Sequence, residues 1–242
     1  MREAIKNAPP GGLIRFSETI NEISLSSQLV IPHALTIDGS LEGNPTRTIT
    51  LIRGDTNTNR IMHVLPVQLG AVKLKHLLLF TPSGSGAPPV NADEGGAILN
   101  EGTLEIAHTS FVGNRAQNFG GAIFNRGNLF AENTTFDKNF TVSTNDGGDA
   151  VANTDVSAFA DFLHVTMRSN AGFRVVYRGS GRNSSMFVRS IIDGSCHNSD
   201  NPNQAFIFDQ SVQFNNKDPF LRGHPPLRQT MRFTTSPNYT VL

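Results

Sequence analysis

A short repeat constrains the fold of this 242-residue chain more than any other feature. Gly-Gly-Ala-Ile-Leu-Asn at 95–100 returns 25 residues later as Gly-Gly-Ala-Ile-Phe-Asn at 120–125. Repeats of this length mark solenoids, in which one unit cannot bury its apolar face alone and must stack on a neighbour. Each unit holds two runs of alternating small or apolar residues, separated by Gly and Asn, which predicts strands and turns without a helix. The sequence therefore predicts an all-β parallel solenoid.

Stacking turns each aligned position into a ladder along the solenoid, because equivalent residues lie one strand spacing apart, about 4.7–4.9 Å. Two ladders are predicted to be apolar and inward, and comprise Ile98, Ile123 and Val151, and Phe111, Phe136 and Met167. Two structural amide ladders are predicted at turns, and comprise Asn100, Asn125 and Asn153, and Asn114, Asn139 and Asn170. Asn suits such positions because it tolerates the left-handed region and can bond to turn backbone.

The two ends of the chain depart from the repeat. Residues 1–8 favour a short amphipathic helix that stops at Pro9-Pro10, and such a helix would cover the unpaired edge of the first coil. Beyond residue 208 the pattern fades into a Pro-rich tail. The predicted organisation is an N-terminal cap at 1–12, a parallel β-helix at 13–208 and an irregular C-terminal capping region at 209–242.

Charge and hydropathy exclude several classes of partner. The formal net charge is zero, and Lys and Arg are scattered, so no basic face for nucleic acid is expected. No apolar run approaches the roughly 18 residues of a membrane span. Met1-Arg2-Glu3 leads into no apolar core, so we expect no signal peptide in this chain. We expect a monomer.

Several motifs resemble those of a bacterial group. Arg2-Glu3-Ala4-Ile5 resembles the end of the Leu-Arg-Glu-Ala-Ile motif that opens many repeat-rich surface proteins. The Gly-Gly-Ala-Ile and Phe-x-x-Asn repeats resemble those of chlamydial polymorphic outer membrane proteins, and residues 190–196 and Asp218-Pro219 resemble the closing portion of the same group. The resemblance implies a single-stranded right-handed parallel β-helix, the pectate-lyase-like architecture, in an extracellular or cell-surface protein.

One pair of carboxylates is a candidate for catalysis on polysaccharides. Aligning the coils places Lys73, Glu105, Phe130 and Asp161 in one outward column. Glu105 and Asp161 are then two coils apart, roughly 9–10 Å, which overlaps the carboxylate spacing of inverting glycosidases. Because Phe130 stands between them and Lys73 beside Glu105, we favour a solvated face with an ordinary cross-strand charge pair.

A second group of carboxylates surrounds the third glycine corner. Asp146, Asp149 and Asp155 could offer oxygen atoms to Ca²⁺, the cofactor expected only if the chain is a lyase. No Ca²⁺-binding nonapeptide repeat is present, so a turn-capping role is favoured, and we otherwise expect no cofactor.

A polar column is the candidate for ligand binding, and it comprises His76, His108, Asn133, His164 and Arg189. It follows an inward apolar pair at a predicted bend, where a ladder of polar side chains is also expected for structural reasons. His76 and His108 would lie on adjacent coils, close enough in principle to share a metal ion, although we favour no metal. Protonation of the rings near pH 5.5 would favour an acidic linear partner.

Two functions remain open from the sequence. The first is a non-catalytic exported module for adhesion, attachment or glycan binding, whose partner is a polysaccharide or a host or neighbouring surface. The alternative is a polysaccharide lyase or glycoside hydrolase that acts in a groove on the β-helix face. A fold of this class hosts both kinds of protein, so fold alone does not decide between them.

Overall fold

Successive coils of the chain add strands to the same three parallel sheets. A computed structural model describes residues 1–54, 60–66, 69–82, 94–142, 147–155, 157–168, 174–178, 185–193, 195–198, 207–209 and 211–214. Sheet 1 contains β1 (Gly12–Arg15), β4 (Leu35–Asp38), β7 (Val72–Lys75), β10 (Thr103–Ala107), β14 (Asn128–Glu132), β18 (Phe159–Leu163), β21 (Ser185–Val188) and β24 (Ile207–Asp209). Sheet 2 contains β2 (Glu22–Leu25), β5 (Ile49–Arg53), β8 (Leu77–Phe80), β11 (Ser110–Val112), β15 (Thr135–Asp137), β19 (Thr166–Arg168), β22 (Ile191–Asp193) and β25 (Val212–Phe214).

Sheet 3 completes each coil, and a short fourth sheet lies between sheets 2 and 3. Sheet 3 contains β3 (Leu29–Ile31), β6 (Met62–Val64), β9 (Ile98–Asn100), β13 (Ile123–Asn125), β17 (Val151–Asn153), β20 (Arg174–Arg178) and β23 (Ser195–Asn198). Sheet 4 pairs β12 (Arg115–Ala116) with β16 (Phe140–Thr141). Since the chain visits the sheets in a fixed order, the predicted parallel β-helix is confirmed.

The register of the strands is the one that the 25-residue repeat predicts. Glu105 pairs with Phe130, and Phe111 pairs with Phe136. In sheet 3, Ile123 lies between Ile98 and Val151. Each predicted inward ladder is therefore continuous across three neighbouring coils.

Apolar side chains on alternate strand positions fill the interior. The rings of Phe111 and Phe136 are fully buried and stacked, with centroids 5.0 Å apart. A second buried stack joins Phe162 and Phe187 at 4.7 Å. Full burial of one such side chain contributes about 1.5–3 kcal/mol, so the stacked rings are a main source of stability.

A short helix stands at the start of the chain, as predicted. α1 (Arg2–Asn7) buries Ile5 in the core and contacts β3, the outermost strand of sheet 3. The Arg2 guanidinium donates hydrogen bonds to the carbonyl and the hydroxyl of Ser27. The helix ends at Asn7, and the next residue, Ala8, is extended because Pro9 disfavours the helical region for the residue before it.

At the other end, strand pairing continues beyond residue 208, because β22 pairs with β25 as far as Phe214. Residues 215–242 of the predicted C-terminal capping region lie outside the described residues. Among the residues that the structure describes, no helix is long and apolar enough to cross a membrane.

Paired glycines allow close stacking at the corner before sheet 3. Gly95, Gly120 and Gly148 all have positive φ, between 62° and 65°. The residue after Gly120 must also be glycine, because a Cβ on Gly121 would lie 2.2 Å from the carbonyl oxygen of Asp149 in the following coil. In that coil Asp149 itself follows Gly148. The glycine pair is thus fixed by backbone approach at this corner.

Candidate functional site

The polar column lies where the chain turns from sheet 1 into sheet 2, and we call it the corner column. Its members all have left-handed backbone, with φ of 52° at His76, 49° at His108, 46° at Asn133, 52° at His164 and 47° at Arg189. Non-glycine residues rarely adopt such angles, and Asn and His are enriched among those that do. The sequence predicts a bend here, but the left-handed conformation is found in this column and in none of the described ladder asparagines.

A buried hydroxyl follows most members of the corner column and holds the turn. Thr109, Thr134 and Ser190 are at most 2% exposed. Each hydroxyl donates to the carbonyl oxygen two residues earlier, at 2.8–2.9 Å. The sequence analysis did not predict these buried hydroxyls, although Thr109 and Thr134 are 25 residues apart, as the repeat requires.

His76 is held in place from two sides. Its Nδ1 lies 2.9 Å from Oδ1 of Asp38, and its ring stacks on that of His108 with centroids 5.0 Å apart. Burial alone would raise the pKa of Asp38, but hydrogen bonds from the Ser40 backbone and from His76 outweigh burial and lower it. Asp38 therefore stays ionised and fixes the orientation of the His76 ring.

The other members of the corner column face solvent. His108, Asn133, His164 and Arg189 are exposed, on coils about 4.8 Å apart. The backbone N–H groups of His108, Asn133 and His164 each donate to a carbonyl oxygen of the following coil, which holds the backbone of the row in place. The corner presents a straight row of polar side chains, with the half-buried Lys75 beside its first member.

The candidate acid pair lies in one outward column of sheet 1, with one strand between its two members. The register places Glu105 and Asp161 on either side of Phe130, as the sequence predicts. Nζ of Lys73 lies 2.7 Å from Oε2 of Glu105, which makes the expected cross-strand pair. Phe130 is 38% exposed and meets the edge of Phe159 at 5.0 Å, so an aromatic ring occupies the space between the two carboxylates.

The aspartates of the third glycine corner bond to turn backbone. Asp149 is 2% exposed, and its Oδ1 accepts hydrogen bonds from the N–H and hydroxyl of Thr141. Oδ1 of Asp155 accepts from the N–H and hydroxyl of Ser157. Asp146 lies outside the described residues. Within the part of the chain that the structure describes, no three His, Cys, Asp or Glu side chains are grouped to hold a metal ion.

Both amide ladders are buried and continuous through the described coils. Nδ2 of Asn100 donates to Oδ1 of Asn125, and Nδ2 of Asn125 donates to Oδ1 of Asn153, each at 2.7 Å. In the second ladder, Asn114 donates to Asn139 at 3.0 Å. Asn170, the predicted third member of that ladder, lies outside the described residues. The amides therefore serve the backbone and are closed to a ligand.

The chain matches no protein-family model, no curated protein and no solved structure in the comparisons made. What is established is the class that the fold defines, a parallel β-helix repeat protein. The finer resemblance to exported bacterial proteins rests on the motifs of the sequence.

Proposed function

We propose that this chain is a non-catalytic binding module that holds an extended polar partner, such as a polysaccharide chain, along the corner column. The observation that supports this proposal is the row of exposed polar side chains at His108, Asn133, His164 and Arg189. A rigid row loses little conformational freedom on binding, which favours affinity for a linear partner.

The partners of the candidate carboxylates favour a non-catalytic function. Glu105 is paired with Lys73, and Asp149 and Asp155 are engaged in turns. A glycosidase needs two carboxylates that face one scissile bond, with space for water or sugar between them. On this face the space between Glu105 and Asp161 is occupied by Phe130.

The charge of the row indicates an acidic partner. Arginine is always charged in proteins, and a histidine ring becomes a cation when it is protonated. We therefore expect a polysaccharide with uronic acid or sulfate groups to bind more tightly at about pH 5.5 than at about pH 7.5.

We also propose that the module belongs to an exported or cell-surface bacterial protein related to the polymorphic outer membrane type. The Gly-Gly-Ala-Ile and Phe-x-x-Asn repeats support this proposal, because they stack into the ladders of the β-helix. Adhesion or attachment is the role that such a rod would serve.

The test is a glycan array probed at both pH values with the wild type and with the double variant His108→Gly and His164→Gly. Glycine is chosen because the positive φ of both positions would strain alanine. We expect the double variant to lose binding and its pH dependence. His33→Gly is the matched control, since His33 is a half-buried histidine outside the column.

Two results would overturn the proposal. Binding that is unchanged in the double variant would leave the corner column with a structural role alone. Release of reducing sugar, or of unsaturated product absorbing in the ultraviolet, from any array glycan would show that the chain is a lyase or hydrolase.

A further inference from the structure

Two arginines lie where the chain leaves sheet 2, on the side away from the corner column. Arg53 is the last residue of β5, takes an inward position in that strand and is 5% exposed. Along sheet 2 the next equivalent positions are Thr81 and Gly113, and Arg115 begins β12 two residues later. Since two strand spacings are about 10 Å, the side chains of Arg53 and Arg115 can converge, and we call this pair the arginine corner.

Neither guanidinium has an anionic partner among the described residues. Nη1 of Arg53 and Nε of Arg115 are buried and donate no hydrogen bond. Other arginines differ: Arg126 pairs with Glu94 and Glu101, and Arg168 pairs with Asp137. Arg115 instead lies over the ring of Phe140, 4.5 Å from its centroid, which orients the guanidinium plane without neutralising it.

The arrangement is electrostatically unfavourable as it stands. Burial, and then the positive charge of Arg115, lower the pKa of Arg53, and burial lowers the pKa of Arg115. Arginine nevertheless keeps its proton in proteins, so both charges persist. A buried charge is tolerated when an opposite charge and hydrogen bonds compensate for lost water.

We propose that the arginine corner binds a small oxyanion, either a free ion such as phosphate or the carboxylate of an acidic sugar. The guanidinium fork presents two parallel N–H donors that match two oxygens of such a group. Arg53 is buried whereas Arg115 is half-exposed, so the anion enters from the side of Arg115. This site is separate from the corner column and does not depend on the function proposed for it.

The test is thermal unfolding of the full chain, with sodium phosphate or sodium glucuronate replacing chloride at constant ionic strength. We expect a saturable rise in Tm of about 3–6 °C at an anion concentration ten times Kd. The rise should disappear in Arg53→Met and in Arg115→Gln. It should persist in Arg126→Gln, the matched control, because that arginine already has carboxylate partners.

The outcomes separate the two sources and allow refutation. Saturation at lower phosphate than glucuronate identifies a free ion, and the reverse order identifies an acidic saccharide. No saturable rise with either anion, or the same rise in all four proteins, would overturn the proposal. A second measurement needs no anion: Arg53→Met should unfold at the same or higher temperature than the wild type, since it removes an unpaired buried charge. A large fall in Tm would show that the chain itself neutralises Arg53.

Discussion

Replacing Asn125 with alanine would remove the centre of the first amide ladder. This side chain is fully buried, and its Oδ1 accepts a hydrogen bond from Asn100 at 2.7 Å. Its Nδ2 donates to Oδ1 of Asn153 at 2.7 Å and to the carbonyl oxygens of Gly127 and Phe159 at 2.9 and 3.0 Å. Alanine would remove all four of these hydrogen bonds, and the one from Nδ2 to Asn153 is fully buried. The carbonyl oxygen of Gly127 would still accept from the N–H of Phe159.

The size of the effect follows from these contacts. A typical intramolecular hydrogen bond contributes about 0.5–1.5 kcal/mol net, and a buried group left unsatisfied costs about 1–3 kcal/mol. Asn100 keeps the carbonyl oxygen of Asn128 as a second acceptor at 3.0 Å, which limits the loss on that side. We expect Asn125→Ala to lower the free energy of unfolding by about 3–5 kcal/mol.

Urea unfolding followed by far-ultraviolet circular dichroism measures this change. Asn118→Ala is the matched control, because Asn118 is exposed and its loss should change stability by less than about 0.5 kcal/mol. A loss below about 1 kcal/mol in Asn125→Ala would refute the reasoning, since it would mean that the ladder bonds are no better than bonds to water. Asn125→Asp keeps the shape but opposes carboxylate and carbonyl oxygens, so it should destabilise most at neutral pH and less in acid.

Three further changes test other parts of the fold. Phe136→Ala should lower the free energy of unfolding by about 3–5 kcal/mol and Glu105→Ala by well under 1 kcal/mol in the same assay, and equal effects would contradict the register. Gly121→Ala should prevent soluble expression, whereas Gly43→Ala, which meets no atom within 4 Å, should lose only about 1–2 kcal/mol from its positive φ. Since the pKa of Asp38 is lowered, its charge stabilises the fold above about pH 4, and that stability is lost in acid; Asp38→Asn should flatten this acid dependence of the unfolding midpoint.

The sequence predicted the coil and its register because the repeat imposes both. A period of 25 residues aligns Ile98 with Ile123 and Glu105 with Phe130, and a slip by one residue would move every apolar side chain to the wrong face. The paired glycines and the amide ladders were predicted for the same reason: the identical residue recurs where the identical backbone recurs.

The corners were harder to predict, because a period of two does not extend through a turn. The left-handed angle of His108 depends on how sheets 1 and 2 meet, and neighbouring residues do not encode that angle. The next residue, Thr109, is buried, although threonine is mostly exposed in folded proteins. Arg53 takes the inward position that follows Ile49 and Leu51 in the alternation of its strand, and sequence patterns assign such a position to an apolar side chain.

Equivalence between neighbouring coils gives this protein an unusual freedom. Asn100 and Asn125 occupy the same point on successive turns, so excising 101–125 would rejoin the chain at matching positions and shorten the rod by one strand spacing, about 4.8 Å. Duplication of the same segment would lengthen it by as much. The length of the rod can therefore change by whole coils when a gene segment is gained or lost. The cross-section of the rod and the side chains of its remaining coils stay the same.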